Sequence, residues 1–152
     1  MNIEVCVLDA RLHEWGLPAY QSDHAAAIDL HACLDAPLEL VAGAPAVLIP
    51  AGFALHIADP AVAALILPRS GLGHKKGLVL GNTAGLIDPD YTGPILVSAW
   101  NRNAAGAPIV LQPGERFAQM MFVPVIRPSL YRVEAFSMVS KRGIGGFGST
   151  GA

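Results

Sequence analysis

"AVLIPAGFALHI", residues 46–57, is the stretch that decides the fold. It is apolar at almost every position, is too short to cross a membrane, and contains Pro50 and Gly52. A short run that is apolar on both faces is typical of a strand buried between two layers. We therefore expect a fold made of packed β-sheets.

The rest of the chain repeats this pattern. Short aliphatic runs separated by Gly, Pro, Asn and Asp recur from "NIEVCVL", residues 2–8, to "ERFAQMMFVPVI", residues 115–126, and helical periodicity is nearly absent. The sequence predicts an all-β protein, a jelly-roll β-barrel with one short helix. That helix is predicted to begin with Ser70 as its N-cap and to end near Gly77.

Composition restricts the classes of protein. The 152 residues are 53% hydrophobic and 14% charged, with a net charge of −2, so one domain with an unusually apolar surface is expected. Another copy of the chain would cover that surface, which predicts a homo-oligomer. The charge argues against a nucleic-acid or membrane partner. Without a secretory pattern, a cytoplasmic location with reduced, buried Cys6 and Cys33 is expected.

The stretch "LPRSGLGHKKGLVLGN", residues 67–82, ends an apolar strand on Arg69 and Ser70. Free N–H groups at the start of the predicted helix, a hydroxyl and a guanidinium would together form an anion site. An isolated Arg-Ser-Gly more often marks a simple turn, so this interpretation depends on its neighbours.

The first neighbour is the tail "GIGGFGST", residues 143–150. A dinucleotide fingerprint opens a helix, which we do not expect here, but the glycines of the tail could wrap around phosphates. Arg142 supplies charge, and Phe147 could stack on a base. We predict a domain over residues 1–140 and a flexible arm over 141–152. The alternative is a frayed terminus.

The second neighbour is "GNTAGLIDPDYTGPILVSAWN", residues 81–101. Its turn residues predict a β-hairpin whose rim carries Asn82, Asp88, Asp90 and Tyr91. Pro89 restricts the backbone of Asp88 and so fixes the direction of its carboxylate. A third neighbour is Gln119, which interrupts an otherwise apolar strand and marks either a satisfied buried amide or a site.

Together these residues resemble one family, the homotrimeric deoxyuridine triphosphatases. Five motifs carry the resemblance over nearly the whole chain, in the order of the family. They are "AAAIDLHA" (25–32), "PRSGLGHKKG" (68–77), "GNTAGLIDPDYTG" (81–93), "PGERFAQMMF" (113–122) and "RGIGGFGSTG" (142–151). The chain departs from the family at Ala27, where the family has glycine.

The resemblance implies a trimer of jelly-roll barrels with an exchanged C-terminal arm and sites at the subunit boundaries. It implies a nucleoside pocket in which Tyr91 excludes a 2′-hydroxyl. The residues of that pocket would be Asn82, Leu86, Ile87, Asp88, Tyr91 and Leu96. The phosphates would be held by Arg69, Ser70, Gly71 and Gln119. The arm residues closing over the site of a neighbour would be Arg142, Phe147, Gly148, Ser149 and Thr150.

The implied reaction is hydrolysis of dUTP to dUMP and pyrophosphate, which limits uracil in DNA and supplies dUMP for thymidylate synthesis. Asp88 would deprotonate the water that attacks the α-phosphorus. Mg²⁺ would bridge the phosphates, and Asp29 would contact its water shell. The five histidines show no ligand spacing and are interpreted as structural or surface groups.

Three alternatives stay open. A deoxycytidine triphosphate deaminase, which shares the fold by resemblance, would release ammonia rather than pyrophosphate. A nucleotide-sensing module would bind dUTP without turnover. A structural jelly-roll trimer would leave Arg69, Gln119 and the arm without a purpose, and dUTP would then not shift its thermal stability.

Overall fold

The computed structural model of the chain describes residues 1–138, 140 and 143. This part of the chain consists of strands and two short helices, which confirms the all-β prediction. In chain order the elements are β1 (Glu4–Val7), α1 (Leu12–Trp15), β2 (Ile28–His31), β3 (Leu38–Leu40), β4 (Val47–His56), β5 (Val62–Pro68), α2 (Ser70–Lys75), β6 (Leu78–Leu80), β7 (Gly85–Ile87), β8 (Pro94–Asn101), β9 (Ile109–Leu111) and β10 (Arg116–Pro124).

The strands form two four-stranded antiparallel sheets and one small two-stranded sheet. The first sheet has the order β1-β4-β8-β6, the second β2-β10-β5-β7, and the third pairs β3 with β9. Strands that follow one another in the chain therefore often lie in different sheets, as in a jelly roll. The predicted jelly-roll-like fold is confirmed.

Strand β4 is the longest, at 10 residues, and has neighbours on both edges. Its apolar run packs into the one core cluster that both large sheets share. From Ala51 to Leu55 five consecutive residues are buried, so both faces of this part of the strand are covered. Two-sided burial thus holds for residues 51–55, whereas Val47, Leu48 and Pro50 at the start of the strand are exposed, so the prediction from composition is confirmed for only part of the run.

Gly52 allows a close contact beneath β4. It has a φ of +82°, and a Cβ atom there would lie 2.4 Å from Sγ of Cys33.

Burial raises the pKa of the Cys33 thiol to about 11, which keeps it protonated. Beside it, hydrogen bonds from Arg11 lower the pKa of Asp9 to about 2. Cys33 is the buried free thiol that we predicted, whereas Cys6 on β1 is exposed, so its predicted burial is wrong.

The structure changes the predicted helices in two ways. A second short helix, α1, is present, and its four residues are too few to show helical periodicity in the sequence. The N-cap of α2 is Arg69, with an extended backbone (φ −72°, ψ 131°) and no side-chain capping bond, and Ser70 is the first helical residue. The predicted N-cap was therefore displaced by one residue.

The predicted hairpin over residues 81–101 is wrong. Strand β7 pairs with β5 in the second sheet, and β8 pairs with β4 and β6 in the first. The turn around Asp88 to Gly93 thus carries the chain from one sheet to the other. Because turn residues look alike in both cases, the sequence pattern could not separate a hairpin from a crossover between sheets.

Residues 125–138 follow β10 and contain neither helix nor strand. They carry large apolar side chains that are almost fully exposed, including Ile126 (89%), Leu130 (93%) and Phe136 (89%). Neither helix of the described chain is long and apolar enough to span a membrane. The predicted boundary between the domain and the arm, at residue 140, stays a prediction.

Candidate active site

Three parts of the chain line one cavity of about 900 Å³. Strand β10 lies between β2 and β5, and the ladder places Gln119 opposite Asp29 on one side and Leu67 on the other. The junction of β5 and α2 adds Arg69, Ser70 and Gly71 to the same wall. The structure thus brings together the predicted phosphate-binding residues and Asp29 from three separate motifs.

Gln119 both satisfies a backbone group and faces the cavity. Its Nε2 atom donates a hydrogen bond of 2.9 Å to the carbonyl oxygen of Pro68. This bond fixes the amide against the end of β5, and the residue lines the cavity. Of the two interpretations that the sequence left open, the satisfied amide is observed, and the role of Gln119 as a site residue stays a prediction.

Asp29 lies between two arginines and is 7% exposed. Its Oδ1 is 3.2 Å from Nε of Arg69, and its Oδ2 is 3.2 Å from Nη1 of Arg116. Ala27, which replaces the glycine of the family, lines the same cavity and is half-buried. Its methyl group is accommodated while the ion pairs of Asp29 are formed.

The cavity carries an excess of positive charge. Arg69, Arg116, Lys75 and Lys76 contribute cations, and Asp29 is the acidic residue among the lining residues. Cations that surround one concave surface attract an anion more strongly than isolated surface charges do. The cavity is therefore suited to a polyanion such as a triphosphate.

Arg116 is a site residue that sequence reasoning missed. In a regular strand, residues three positions apart point to opposite faces, which separates Arg116 from Gln119. The β2–β10 ladder shifts register between Arg116 and Ala118, and this irregularity brings both side chains to one cavity. No sequence signal marks this bulge.

His31, which pairs with Arg116 across the ladder, lies beneath this region. Burial, followed by the positive charge of Arg116, lowers its pKa, and Asp29 opposes the shift. Its Nδ1 atom is buried without a hydrogen-bond partner among the described residues. His31 is therefore a neutral structural ring beside the charged residues.

Asp88 lies in a different cavity, of about 450 Å³, with Leu86, His56 and Arg127. The lining residues of the two cavities do not overlap within the described part of the chain. Gln119 lines the first cavity and Val125 the second. Six residues of extended chain separate them, which corresponds to roughly 20 Å. Asp88 and the predicted phosphate-binding residues of one copy thus line different cavities.

The other predicted nucleoside residues lie near the turn but not in one cavity. Ile87 packs against the core, and Asn82 is exposed in the turn after β6. Tyr91 is exposed and donates a hydrogen bond of 3.0 Å to the carbonyl oxygen of Pro94. Leu96 lines a third cavity, of about 390 Å³, together with Pro50.

The predicted arm residues lie outside the described part of the chain. They are Arg142, Phe147, Gly148, Ser149 and Thr150. Their predicted contacts with substrate stay predictions.

The described residues contain no group of three or more His, Cys, Asp or Glu side chains that could hold a metal ion. Both oxygens of Asp29 face guanidinium groups, so a metal ion bound directly to Asp29 would lie beside two cations. An ion held by substrate phosphates and water fits this site better than one held by protein ligands. The predicted contact of Asp29 with the water shell of Mg²⁺ stays a prediction.

Comparisons with known proteins agree on one family. A family model described as dUTPase matches residues 13–151. Curated relatives named deoxyuridine 5'-triphosphate nucleotidohydrolase include those of Ralstonia nicotianae, 56% identical over 151 residues, and Leptothrix cholodnii, 55% identical over 150 residues. The first alignment covers 99% of both proteins, and the second covers 99% of this chain and 97% of the relative.

Solved structures with the same fold include a dUTPase of Staphylococcus bacteriophage 80alpha bound to dUpNHpp. It matches with a TM-score of 0.83 at 24% identity, over 99% of each chain. A dUTPase from phage phi11 of S. aureus, described with a structural Mg(II) ion, matches with a TM-score of 0.75 at 21% identity. That match covers 91% of this chain and 100% of the phage chain.

Proposed function

The chain belongs to the dUTPase family and hydrolyses dUTP to dUMP and pyrophosphate, and on this premise we propose which residues carry out the reaction. The observation that carries the proposal is the cationic cavity in which Arg69, Ser70, Gly71 and Gln119 converge. A guanidinium and an amide fixed by backbone bonds can hold phosphate oxygens in one orientation. We assign the triphosphate to this cavity.

We assign the nucleoside to the turn that carries Asp88. The proposed contacts are those that the resemblance implies: Asn82, Leu86, Ile87, Tyr91 and Leu96. The ring of Tyr91 would pack beneath the deoxyribose, where a 2′-hydroxyl would clash. The bond from its hydroxyl to Pro94 supports this assignment, because it restrains the ring.

In the proposed reaction, Asp88 is the general base. Its carboxylate accepts a proton from a water molecule while the water oxygen attacks the α-phosphorus. The bond between the α-phosphorus and the bridging oxygen to the β-phosphate breaks, and pyrophosphate leaves with that oxygen. Bound Mg²⁺ would supply neutralisation of the phosphate charge. The role of the protein is to hold the α-phosphorus in line with the water molecule.

We propose that each complete site is formed by more than one copy, in a homotrimer. The placement of Asp88 and the phosphate-binding residues of one copy in two different cavities supports this, since a complete site needs both. The apolar side chains exposed on residues 125–138 are a second support, because a neighbouring copy would bury them. The cytoplasmic location stays a prediction.

Mixing two inactive variants is expected to restore activity. Asp88→Asn and Arg69→Gln chains, denatured together at equal amounts and refolded, should recover about a quarter of wild-type activity, because each site then samples the two residues from different copies at random. The measurement is pyrophosphate release per mole of chain. The control is each variant refolded alone. A mixture as inactive as its components would place both residues of each site on one copy.

A panel of nucleotides tests the function itself. With Mg²⁺, dUTP should yield pyrophosphate, whereas UTP, dTTP and dCTP should react far more slowly, because the 2′-hydroxyl and the other bases are rejected. Ammonia is followed in the same wells. Release of ammonia from dCTP would identify a deaminase, and dUTP binding without pyrophosphate would identify a nucleotide sensor.

A further inference from the structure

We propose that Asp29 and Arg116 are positioning residues that orient the guanidinium of Arg69 toward the substrate phosphates. This role rests on the proposed function, since it requires Arg69 to bind phosphate. It differs from a contact between Asp29 and the water shell of Mg²⁺, because the ion pairs that carry it are formed by the protein alone.

The position of Asp29 supports the proposal. A carboxylate that is 7% exposed is costly to bury unless cations and hydrogen bonds compensate it. Here the two oxygens face different guanidinium groups, Oδ1 toward Arg69 and Oδ2 toward Arg116, each at 3.2 Å. The carboxylate thus holds two arginines at a fixed separation on the cavity wall.

Arg69 is held at two of its three nitrogens. Its Nε lies next to Oδ1 of Asp29, and its Nη1 donates a hydrogen bond of 2.8 Å to the carbonyl oxygen of Arg116. Two contacts restrain a planar guanidinium, and among the described residues its Nη2 group has no hydrogen-bond partner. This arrangement orders the side chain before the substrate binds, which lowers the entropy cost of binding.

Arg116 connects this pair to the loop before β2. Its Nη1 lies next to Oδ2 of Asp29 and also donates a hydrogen bond to Oε1 of Gln21. Its side chain and its carbonyl group therefore both act on Arg69, one through Asp29 and one directly. Both contacts lie beside the register shift between Arg116 and Ala118.

The experiment measures binding rather than turnover. Asp29→Asn, Arg116→Gln and Arg116→Lys proteins are titrated with dUpNHpp and with dUMP by calorimetry, once with Mg²⁺ and once with EDTA. The matched control is Arg102→Gln, which removes an exposed arginine that does not line the cavity. Thermal melts and gel filtration show whether each variant keeps its fold and assembly.

We expect Asp29→Asn and Arg116→Gln to weaken dUpNHpp binding by about 10- to 100-fold, as a misplaced binding group does. The loss should occur both with Mg²⁺ and with EDTA, and dUMP binding should fall less. Arg116→Lys should restore only part of the affinity, because one ammonium cannot reproduce the contacts of a planar guanidinium. Arg102→Gln should bind like the wild type.

Three outcomes would overturn the proposal. A loss that appears only with Mg²⁺ would assign Asp29 to the water shell of the metal. Unchanged dUpNHpp affinity in both Asp29→Asn and Arg116→Gln would show that Asp29 and Arg116 are not needed to orient Arg69. Full rescue by Arg116→Lys would show that charge alone is sufficient. If Asp29→Asn does not fold, the partly exposed Arg116 carries the test. Failure of the wild-type protein to bind dUpNHpp would instead reject the proposed function.

Discussion

Asp88→Asn is expected to lower kcat by about 10²- to 10⁴-fold, the usual contribution of a general base. The amide has nearly the same shape as the carboxylate but cannot accept the proton of the attacking water. Affinity for dUpNHpp should change little, because the phosphates are held by other residues. Single-turnover pyrophosphate release gives the rate, and calorimetry gives the affinity.

The matched control is Asp90→Asn, which makes the same change in charge two residues away in the same cavity wall. Its loss of turnover should be far smaller. Equal losses in the two variants would point to a general electrostatic effect of the turn. An Asp88→Asn protein with wild-type turnover would remove Asp88 from the role of base.

Deletion of residues 141–152 is expected to lower kcat/KM by about 100-fold or more, while the melting temperature changes little. Under the proposed function this segment brings Arg142, Ser149 and Thr150 to the triphosphate, and lost contacts to developing charge are costly. Its effect on stability should be small, because it contributes few apolar side chains and the last strand of the described residues ends at Pro124. Steady-state kinetics and thermal melts measure the two quantities.

A substitution control separates the effect of losing the Arg142 charge from the effect of losing the whole C-terminal segment. Arg142→Ala in the full-length protein should reproduce part of the kinetic loss without any change in gel-filtration volume. Dissociation of the assembly after the deletion would contradict the proposal, since the segment would then stabilise the trimer rather than close over the substrate.

Local composition was enough to predict the sheets. The run of residues 46–57 is apolar on both faces, and the second half of β4 is buried on both faces as that pattern predicts, although its first residues are exposed. The strand that carries Gln119 and the helix after Arg69 were predicted for similar reasons, because apolar runs and turn residues act over a few positions.

Features that depend on distant residues could not be predicted in this way. The bulge that brings Arg116 beside Gln119 depends on how β10 pairs with β2, and the pairing of β7 with β5 rather than β8 depends on the whole topology. The ion pairs of Asp29 join residues up to 87 positions apart. Sequence spacing carries no information about such contacts.

The separation of the two cavities has a genetic consequence. If each active site takes its Asp88 from one copy and its phosphate-binding residues from another, a single inactive copy also impairs the active sites that it shares with wild-type copies. A chain altered at both Asp88 and Arg69 would therefore behave as a dominant-negative allele when it is produced alongside the intact gene product. Selection would then act on the assembly as a unit rather than on each polypeptide separately.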